Sequence, residues 1–510
     1  MSRFKILVLF VCSCAYTFSQ NDIDAIRYSR YGIGGSSRFV AMGGAFGAVG
    51  ADPSCAAFNP AGLALFRKGE ISFSGAVKLT RNTGSIYNTK TSVSDVKFAF
   101  NNFGLVYAWN SANDPDSRHA LAFTNTQLQN FSGTTTMSGY TNNSSILKDM
   151  KNLADEQGNI FTLNSSYENL AYDTYLLDDD TNGTFNSLVD IKRSVLQSRE
   201  LVTSGRVNEI NFSYAYSHKD KFYLGLSVGV PRVEYTSTTT HYESDGKDSM
   251  QIAFNADSTY STTYIDGLPN LHTDYVTKLG FNSLVYTEYF KTQGSGLNLK
   301  LGGLVRVNDV VRLGMYFHTP TVYFLNDTYY NSMSAAFDKN PKSPIDSKFP
   351  ENGGYFEYRV LTPARLSFNS AFIIKKMAVI GLEYEKVNYA NAKLLSTKTF
   401  DFAGVNKVIK NKYKTGHNVR LGAELNLKPM MFRAGYAMQG SPFGDVFGGN
   451  FVRHNFSLGV GFRGKGKWYF DLVWVKSLTS EDYFLFTTLN TRAKLEYSAT
   501  SLGATVGIKF

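Results

Sequence analysis

The strongest constraint on the fold is a strict alternation of apolar and polar residues that recurs along the chain. In the last ten residues, SLGATVGIKF, the apolar positions are Leu502, Ala504, Val506, Ile508 and Phe510, and the residues between them are polar or glycine. The segments FYLGLSVGV, VRLGMYFH, NVRLGAELNL and NFSLGVGF repeat this pattern. A period of two places all the apolar side chains on one face of a strand. The chain is therefore predicted to be all-β.

The number of such segments and the lengths of the links between them predict how the strands are arranged. About 14 strands are expected, starting near residues 70, 95, 119, 206, 221, 285, 308, 355, 377, 416, 430, 451, 467 and 491. Even-numbered strands are followed by short links such as NDPD, SHKDK and RGKGK, whereas long links near 137–205, 240–284, 327–353 and 395–412 follow odd-numbered ones. Bacterial transmembrane barrels combine an even number of strands with short turns at one end. We predict a closed, 14-stranded antiparallel transmembrane β-barrel, because an open edge would leave backbone groups unpaired in lipid.

Composition and charge narrow the possible partners. Aromatic residues make up 15% of the chain and there are 44 glycines, which favours strands and close backbone packing. The net charge is +10, but the basic residues are scattered singly or in pairs. This scatter argues against a nucleic-acid partner and fits an anionic membrane surface. Outer-membrane lipid is therefore predicted as a partner.

The amino terminus predicts export. MSRFK is basic, ILVLFVCSCAYTF is apolar, and small residues lead to a predicted cleavage after Ser19, so that 1–19 is a signal peptide. A lipoprotein cleavage box before Cys14 is the alternative reading. Cleavage after Ser19 would leave Cys55 as the single thiol, so no internal disulfide is expected. Together with the barrel pattern, this predicts the outer membrane of a Gram-negative bacterium.

The carboxyl-terminal strand fits the same prediction. An alternating strand that ends in an aromatic residue resembles the signal that barrel-assembly machinery reads in outer-membrane proteins. Phe510 is therefore the predicted insertion signal, and the assembly machinery is a predicted partner. We expect Phe510 to lie in the aromatic girdle at the periplasmic rim, with its strand paired to the first strand.

Residues 20–66 do not alternate, and they precede the predicted barrel at 67–510. RFVAMGGAFGAVGADPSCAAFNPAGLALF is rich in glycine and alanine, with turns at Asp52-Pro53 and Asn59-Pro60. It is too apolar for a free tail and too short for a domain, and the lumen of a 14-stranded barrel is wide enough to need filling. We predict that 20–66 is a hatch inside the barrel.

A set of small and turn-forming residues in the hatch resembles the FadL/TodX family of outer-membrane channels for long-chain fatty acids and aromatic hydrocarbons. The matching residues are Gly43, Gly44, Ala45, Asp52, Asn59, Pro60, Ala61, Gly62 and Leu63. Weaker similarity lies in YFHTP, LTPARL and FRAGYAMQGSPFG. The resemblance implies a 14-stranded barrel plugged by an N-terminal hatch. It also implies a kinked third strand beside a gap in the wall, through which ligand passes sideways.

The third predicted strand, HALAFTNTQLQNF, is compatible with such a kink. Its alternation is lost after Phe123, and Asn125, Thr126, Gln127 and Gln129 are polar where lipid-facing residues belong. Polar residues at such positions indicate a distorted or shielded strand. A misplaced strand register explains the same pattern.

Three other sets of residues are candidates for a catalytic, metal-binding or ligand-binding site. GLSVG fits a nucleophile motif, but Ser227 lies mid-strand rather than on a strand-to-helix turn. LDDDTNGTF offers Asp178, Asp180, Asn182 and Gly183 as half of a calcium loop, yet Val189 occupies the position of the closing Glu. Neither a cofactor nor a metal site is predicted. Charged residues expected to face the lumen are candidates to bind a carboxylate or to serve the wall structurally: Lys300, Arg306, Arg312, Arg420 and Glu424.

These observations predict a non-enzymatic channel for passive uptake of small hydrophobic molecules, and the expected ligands are long-chain fatty acids or aromatic hydrocarbons. The hatch is the predicted gate, with Gly43, Gly44, Asn59, Pro60, Ala61 and Gly62 as the residues that shape it. The alternatives are a general porin or receptor-type barrel, a surface adhesin that uses the long loops, and an outer-membrane lipid hydrolase built on Ser227.

Overall fold

The computed structural model describes residues 22–510, except 113, 115, 180–183, 188, 190–193, 248–280, 338–343, 376, 398–399, 445–450 and 465. The predicted signal peptide and most of the predicted loop at 240–284 lie outside the described residues. Among the described residues, no helix has the length and apolar content needed to cross a membrane.

The wall is a closed antiparallel barrel of 14 strands, as predicted. Eight wall elements come first in the chain: β1 (Glu70–Ile86), β2 (Thr89–Asn110), β3 (Ser117–Asn130), β4 (Gly133–Thr141), β7 (Val195–His218), β8 (Phe222–Ser244), β9 (Phe281–Arg306) and β10 (Val311–His318). The remaining ones are β11 (Val322–Phe337), β12 (Ile345–Leu361), β13 (Arg365–Ile374), β14 (Ala378–Asn388), β16 (Thr415–Leu427), β17 (Met430–Gln439), β18 (Arg453–Arg463), β19 (Trp468–Phe484) and β20 (Arg492–Lys509).

Three wall strands are interrupted, which is why 17 elements make 14 strands. β3 and β4 both pair with β7, β10 and β11 both pair with β9, and β12 and β13 are separated by 362–364. The barrel closes between β20 and β1, where Lys509 lies opposite Glu70. The Phe510 amide donates to the Gly69 carbonyl oxygen over 3.0 Å, and its half-exposed ring ends the wall. The predicted closure by the last strand is confirmed.

The loop prediction was wrong at the first link and inaccurate at others. β1 and β2 join through a two-residue turn at Tyr87 and Asn88, both with positive φ, which suits the twist of a hairpin. β2, β7 and β12 begin at 89, 195 and 345, six or more residues before the predicted 95, 206 and 355. The predicted loop at 137–205 shrinks to 142–194 because β4 and β7 extend into it. These extensions lie beyond the lipid, where an apolar outer face is no longer required and alternation fades.

The outer face of the wall carries the predicted apolar side chains. Phe73, Leu224, Leu301, Leu458 and Leu472 are exposed, while their chain neighbours are buried or face inward. A hydrocarbon environment satisfies such side chains and offers no hydrogen bonds to the backbone, which the closed sheet pairs internally. The exposed apolar belt is therefore the face of a membrane-spanning barrel.

The lumen is filled by the hatch, which is built from short helices. These are α1 (Asp22–Arg27), α2 (Ser37–Ala41) and two 3₁₀ helices, Pro53–Ala57 and Pro60–Leu65. The Phe39 ring of the hatch packs on the rings of Phe46 and Phe58, with centroids 5.2 and 4.7 Å away. They belong to a buried core shared with inward side chains of the wall. The hatch therefore folds against the wall as part of one core.

A second layer covers the end of the barrel opposite the short turns. It contains α3 (Ile146–Gln157), α4 (Glu168–Asp173), the hairpin β5 (Leu177–Asp179) and β6 (Phe185–Ser187), β15 (Lys393–Leu395) and α5 (Ala403–Lys412). The Ser145 hydroxyl and Ile146 amide, at the start of α3, donate to the buried Glu243 carboxylate of β8 over 2.6 and 2.7 Å. These contacts fix this second layer, called the loop layer, onto the extended strands.

Candidate functional site

The Asn-Pro-Ala-Gly turn of the hatch is a structural element packed against the wall. The Asn59 side chain caps the 3₁₀ helix by accepting from the Ala61 amide over 3.2 Å, and it donates to the Gly47 carbonyl oxygen over 2.5 Å. Pro60 opens the helix, where a missing amide hydrogen costs nothing. Gly62 packs so closely on Cys55 that a Cβ would lie 2.8 Å from Sγ. The motif thus shapes the hatch.

Glycine is required on both sides of the contact between hatch and wall. Gly43 and Gly44 have φ of +62° and +77°, a left-handed conformation that favours glycine. On the wall, a Cβ at Gly302 would lie 2.0 Å from Asn59 Oδ1. Similar close approaches of wall glycines to the hatch occur in several strands: Gly225, Gly314, Gly381, Gly422, Gly435 and Gly459. The wall therefore presents backbone, without side chains, to the hatch.

Glu424, one of the predicted lumenal residues, holds the hatch by an ion pair. Arg38 of α2 donates to Glu424 through Nε and Nη2 over 2.8 and 2.9 Å, and to the Ala51 carbonyl oxygen over 2.9 Å. Arg433 of β17 donates to the same carboxylate over 2.6 Å and also to Asp471 of β19. Two buried cations are thus balanced by two buried carboxylates at this point of the wall.

The other predicted lumenal charges are also engaged in the structure. Lys300 is buried against Glu209, and Arg420 is paired with Glu383, whose carboxylate accepts the Gly47 amide of the hatch. Arg312 donates to the hatch carbonyl of Val49 over 3.2 Å.

Arg306 does not lie in the lumen as expected, because it is paired with Asp309 in an exposed turn. None of the five predicted lumenal charges lines the larger cavity described below. Their arrangement favours the structural role over carboxylate binding.

The third strand is broken where its alternation is lost. β2 pairs with β3 only from Asn110 to Asn102, which lies opposite Thr126. Beyond that point the register of β3 on β7 shifts between Gln127 and Gln129. β4 then packs on the inner face of the β1–β2 hairpin, where the Thr134 carbonyl oxygen accepts from the Asn82 side chain over 2.8 Å. Among the described residues, the edge of β2 from 89 to 101 thus has no partner strand at the break, and the interpretation of a distorted strand is confirmed.

The first part of the hatch lies against this break. The Gly32 amide donates to the Leu128 carbonyl oxygen over 2.6 Å, and a Cβ at Gly34 would collide with the Gln127 carbonyl. At the other end of this segment, Asp22 accepts from Tyr413 and pairs with Lys412 of α5 over 2.7 Å. Residues 22–35 therefore run between the loop layer and the broken strand.

A cavity of about 500 Å³ lies between this hatch segment and the wall formed by β1, β18, β19 and β20. A second cavity of about 340 Å³ shares five lining residues with it: Ala99, Gln127, Asn130, Ser132 and Tyr235. The second cavity also reaches Phe98, an outward-facing ring that is 74% exposed. The two cavities are thus adjacent at the break, and the second reaches a residue of the outer face.

The larger cavity contains charged residues that sequence reasoning missed. Arg30, Lys78 and Arg453 line it together with Glu481, and Arg27 lies there paired with Asp24. Lys78 donates to Asn130 at 3.5 Å, and Arg30 donates to the Phe451 carbonyl oxygen at 3.4 Å, both long contacts. The sequence offers one signal for Lys78, because alternation in GEISFSGAVKLT places it on the polar, inward face of its strand. The cavity thus combines apolar walls with an excess of positive charge.

The motifs considered for other chemistry have structural surroundings. Ser227 is buried in β8, and its hydroxyl contacts Ser213 and Asn211 rather than a histidine, so the hydrolase reading fails. Asp178 lies in the β5–β6 hairpin, while Asp180, Asn182 and Gly183 lie outside the described residues. Burial raises the pKa of the Cys55 thiol of the hatch well above its usual range.

Two solved structures share this fold over nearly the whole chain. The Pseudomonas putida toluene transporter TodX covers 94% of this chain and 100% of its own, with a TM-score of 0.50 and 13% identity. A Pseudomonas aeruginosa FadL homologue covers 94% and 99%, with a TM-score of 0.53 and 12% identity. No family profile and no curated protein matches the sequence. The resemblance noted in the sequence is thus confirmed for the fold, a 14-stranded barrel with an N-terminal plug.

Proposed function

We propose that this protein is an outer-membrane channel for passive uptake of hydrophobic small molecules, with ligand leaving the lumen sideways through the broken third strand. The observation that carries the proposal is the pair of adjoining cavities at 127–132, one in the lumen and one that reaches Phe98 on the outer face of the wall. On the far side of the cavity, residues 37–66 of the hatch occupy the lumen and pack on the wall glycines. This arrangement supports a lateral path over an axial one.

The height of the break agrees with release into lipid. Nine residues of β2 pair with β3 between the short-turn end and the break. At about 3.3 Å per residue and a strand tilt of roughly 40°, this places the break about 20 Å above that end. Val96 and Phe98 of β2, beside the break, are still exposed apolar side chains. The break therefore opens within the apolar belt, where a hydrophobic ligand partitions favourably.

The charges in the cavity favour a ligand with an anionic head over a neutral hydrocarbon. The cavity is lined by three cations, Arg30, Lys78 and Arg453, and by the carboxylate of Glu481. The net charge of these four residues is positive. Ile26, Ile33, Leu128 and Val473 supply apolar lining. An acyl chain gains about 0.8 kcal/mol for each buried CH₂, while its carboxylate would accept charge-assisted hydrogen bonds. We therefore propose long-chain fatty acids as the ligand class.

Uptake into proteoliposomes tests this function with oleate, toluene and sucrose as probes. Replacing Lys78 and Arg453 by Gln should slow oleate uptake at least about tenfold, since hydrogen bonds to charged groups contribute about 1.5–3 kcal/mol each. Toluene uptake should be unchanged. The matched control removes two exposed charges at the end of the hatch, Arg67→Gln and Lys68→Gln, and should transport oleate normally.

Three other results would contradict the proposal. Sucrose entry would indicate a general porin. Toluene uptake without oleate uptake would indicate an aromatic hydrocarbon as the ligand. Equal oleate uptake by the Lys78→Gln/Arg453→Gln variant and the unmodified protein would show that these cations do not bind the ligand head.

The gate in this proposal is the segment 22–35 rather than the whole hatch. Residues 37–66 are held by the Arg38–Glu424 ion pair and by the close contacts with wall glycines. The segment 22–35 lines the cavity and touches the broken strand mainly through the Gly32–Leu128 hydrogen bond. A small displacement of the segment 22–35 would widen the lateral path and leave residues 37–66 in place.

A further inference from the structure

The turns at one end of the barrel carry positive charge that the fold gathers into a rim. Lys375, Lys428, Arg463 and Lys467 lie in or beside three short links between β13 and β14, β16 and β17, and β18 and β19. These links contain neither Asp nor Glu. Along the chain these residues lie in three separate links, and the antiparallel pairing of consecutive strands from β13 to β19 places them on one arc. This set of four residues is called the basic rim.

The cations of the basic rim form no ion pair within the described structure. Lys375, Lys428 and Lys467 are exposed and make no ion pair there. Arg463 is half-buried, and its guanidinium lies 5.0 Å from the Tyr469 ring centre. Its Nε is buried without a hydrogen-bond partner. Like charges gathered in this way attract an anion from outside the protein.

The opposite arc of the same end is different, because it also carries carboxylates, which pair with several of its cations. Arg67 and Arg118 both pair with Asp220, over 2.8 and 2.9 Å, and Arg306 pairs with Asp309. The basic rim is thus a local feature of one arc and does not simply reflect the net charge of the protein.

Each member of the basic rim adjoins an exposed apolar residue of the lipid-facing belt. In chain order these neighbours are Ile374, Leu427, Phe462 and Trp468. A cation next to a lipid-facing side chain lies at the boundary between hydrocarbon and water, where lipid head groups are found. The charges also follow the perimeter of the barrel across three separate turns. Both features favour lipid head groups over a docked protein as the source of the anion.

We propose that the basic rim binds the phosphate groups of anionic phospholipids, such as phosphatidylglycerol, in the periplasmic leaflet. The short turns of transmembrane barrels face the periplasm, which assigns the leaflet. Lysine and arginine donate to phosphate oxygens, and arginine can do so through two nitrogens. The bound lipids would fix the height and tilt of this side of the barrel, opposite the arc that contains β2 and β3.

Native mass spectrometry of the folded barrel with added dioleoyl-phosphatidylglycerol tests the proposal. The variant replaces Lys375, Lys428 and Lys467 by Gln. Its apparent affinity should fall at least about tenfold, because each lysine near an anionic surface contributes about fivefold. Dioleoyl-phosphatidylcholine, which has the same phosphate but no net charge, should bind weakly and equally to both proteins. Added NaCl should weaken only the phosphatidylglycerol complex.

The control variant removes three exposed lysines from the other arc of the same end, Lys68, Lys219 and Lys221, again by substitution with Gln. Lys219 and Lys375 both occupy turn positions with positive φ, so the two variants carry similar backbone strain. Heat-modified migration on gels checks that both fold. The control should retain phosphatidylglycerol like the unmodified protein.

Each remaining outcome overturns the proposal. Equal losses in the two variants would mean that net charge alone attracts the lipid. Undiminished phosphatidylglycerol binding by the rim variant would exclude the basic rim as the site. Poly-glutamate provides the last arm, with the barrel held in lipid nanodiscs. Rim-dependent binding of this peptide, without any rim dependence of lipid binding, would identify the rim as a docking surface for an acidic protein.

Discussion

Adding one methyl group to the wall at Gly302 should loosen the hatch. A Cβ at this position would lie 2.0 Å from Asn59 Oδ1 and 2.8 Å from the Ala61 amide nitrogen. Both atoms belong to the turn that begins the second 3₁₀ helix of the hatch. The methyl group therefore cannot be accommodated unless Asn59 moves. A Cβ at the adjacent Gly303 would have no such atom within 4 Å.

The size of the effect follows from the contacts that Asn59 would lose. Its two hydrogen bonds, to Ala61 and from Asn59 to Gly47, contribute about 1 kcal/mol each. The cost of overpacking a well-packed contact, about 1–3 kcal/mol, has the same size. A net loss of about 2 kcal/mol for the docked hatch corresponds to roughly a 30-fold higher population of the opened state.

Labelling of Cys55 measures that population. Cys55 is buried in the hatch at 1% exposure, and burial raises the pKa of its thiol, so it should react with a thiol reagent only when the hatch opens. In protein lacking residues 1–19, Gly302→Ala should be labelled roughly 30-fold faster at fixed pH. Gly303→Ala should be labelled at the unmodified rate.

The refuting results are specific. Equal labelling rates for Gly302→Ala and Gly303→Ala, with both barrels folded on heat-modifiability gels, would show that the Gly302 contact does not hold the hatch. Rapid labelling of Cys55 in the unmodified protein would show that the docked hatch does not protect this thiol at all.

Three further predictions concern other parts of the molecule. Arg38→Met should also raise Cys55 labelling, by roughly tenfold, since Glu424 loses two charged hydrogen bonds but keeps a second cation; an unchanged rate would contradict the anchoring role. A disulfide between Gly32→Cys and Gln129→Cys, in a Cys55→Ser background, should stop oleate uptake until a reductant is added, and full uptake by the oxidised protein would exclude 22–35 as the gate. Burial raises the pKa of Asp178 to about 6, so the β5–β6 hairpin is stabilised at low pH and loses that stability as pH rises through 6. Amide exchange of the hairpin, corrected for the intrinsic exchange rate, should therefore become faster from pH 5 to 7.5. The same increase should be absent in Asp178→Asn.

The features that sequence reasoning predicted correctly are those that lipid imposes locally. Each wall strand must present apolar side chains outward because hydrocarbon cannot accept hydrogen bonds, so alternation in segments such as 222–230 directly reports the outer face. The loss of alternation after Phe123 likewise marks the broken third strand. Prediction was poorest above the membrane. There, β7 and β12 extend for many residues without that constraint, and a two-residue turn replaces the expected loop after β1.

The candidate site depended on contacts that no local pattern contains. Alternation placed Glu424 and Lys300 on the inward face correctly, but their partners, Arg38 and Glu209, come from distant parts of the chain. The same alternation gives no reason to separate Lys78, which lines the cavity, from Lys300, which does not. The path of the hatch decides this, because it covers some inward side chains and leaves others facing open space.

By itself, the sequence determined a membrane-facing barrel of 14 strands, a glycine-rich plug and the position of the interrupted third strand. The reason is that a period of two and its interruption are local properties of the chain. Only the tertiary structure decided which charges pair, where the cavity meets the wall and how four scattered cations form one rim. Those features depend on the pairing of strands around the barrel and on the path of the hatch, which bring residues from separate parts of the chain together and leave their neighbours in sequence on opposite faces.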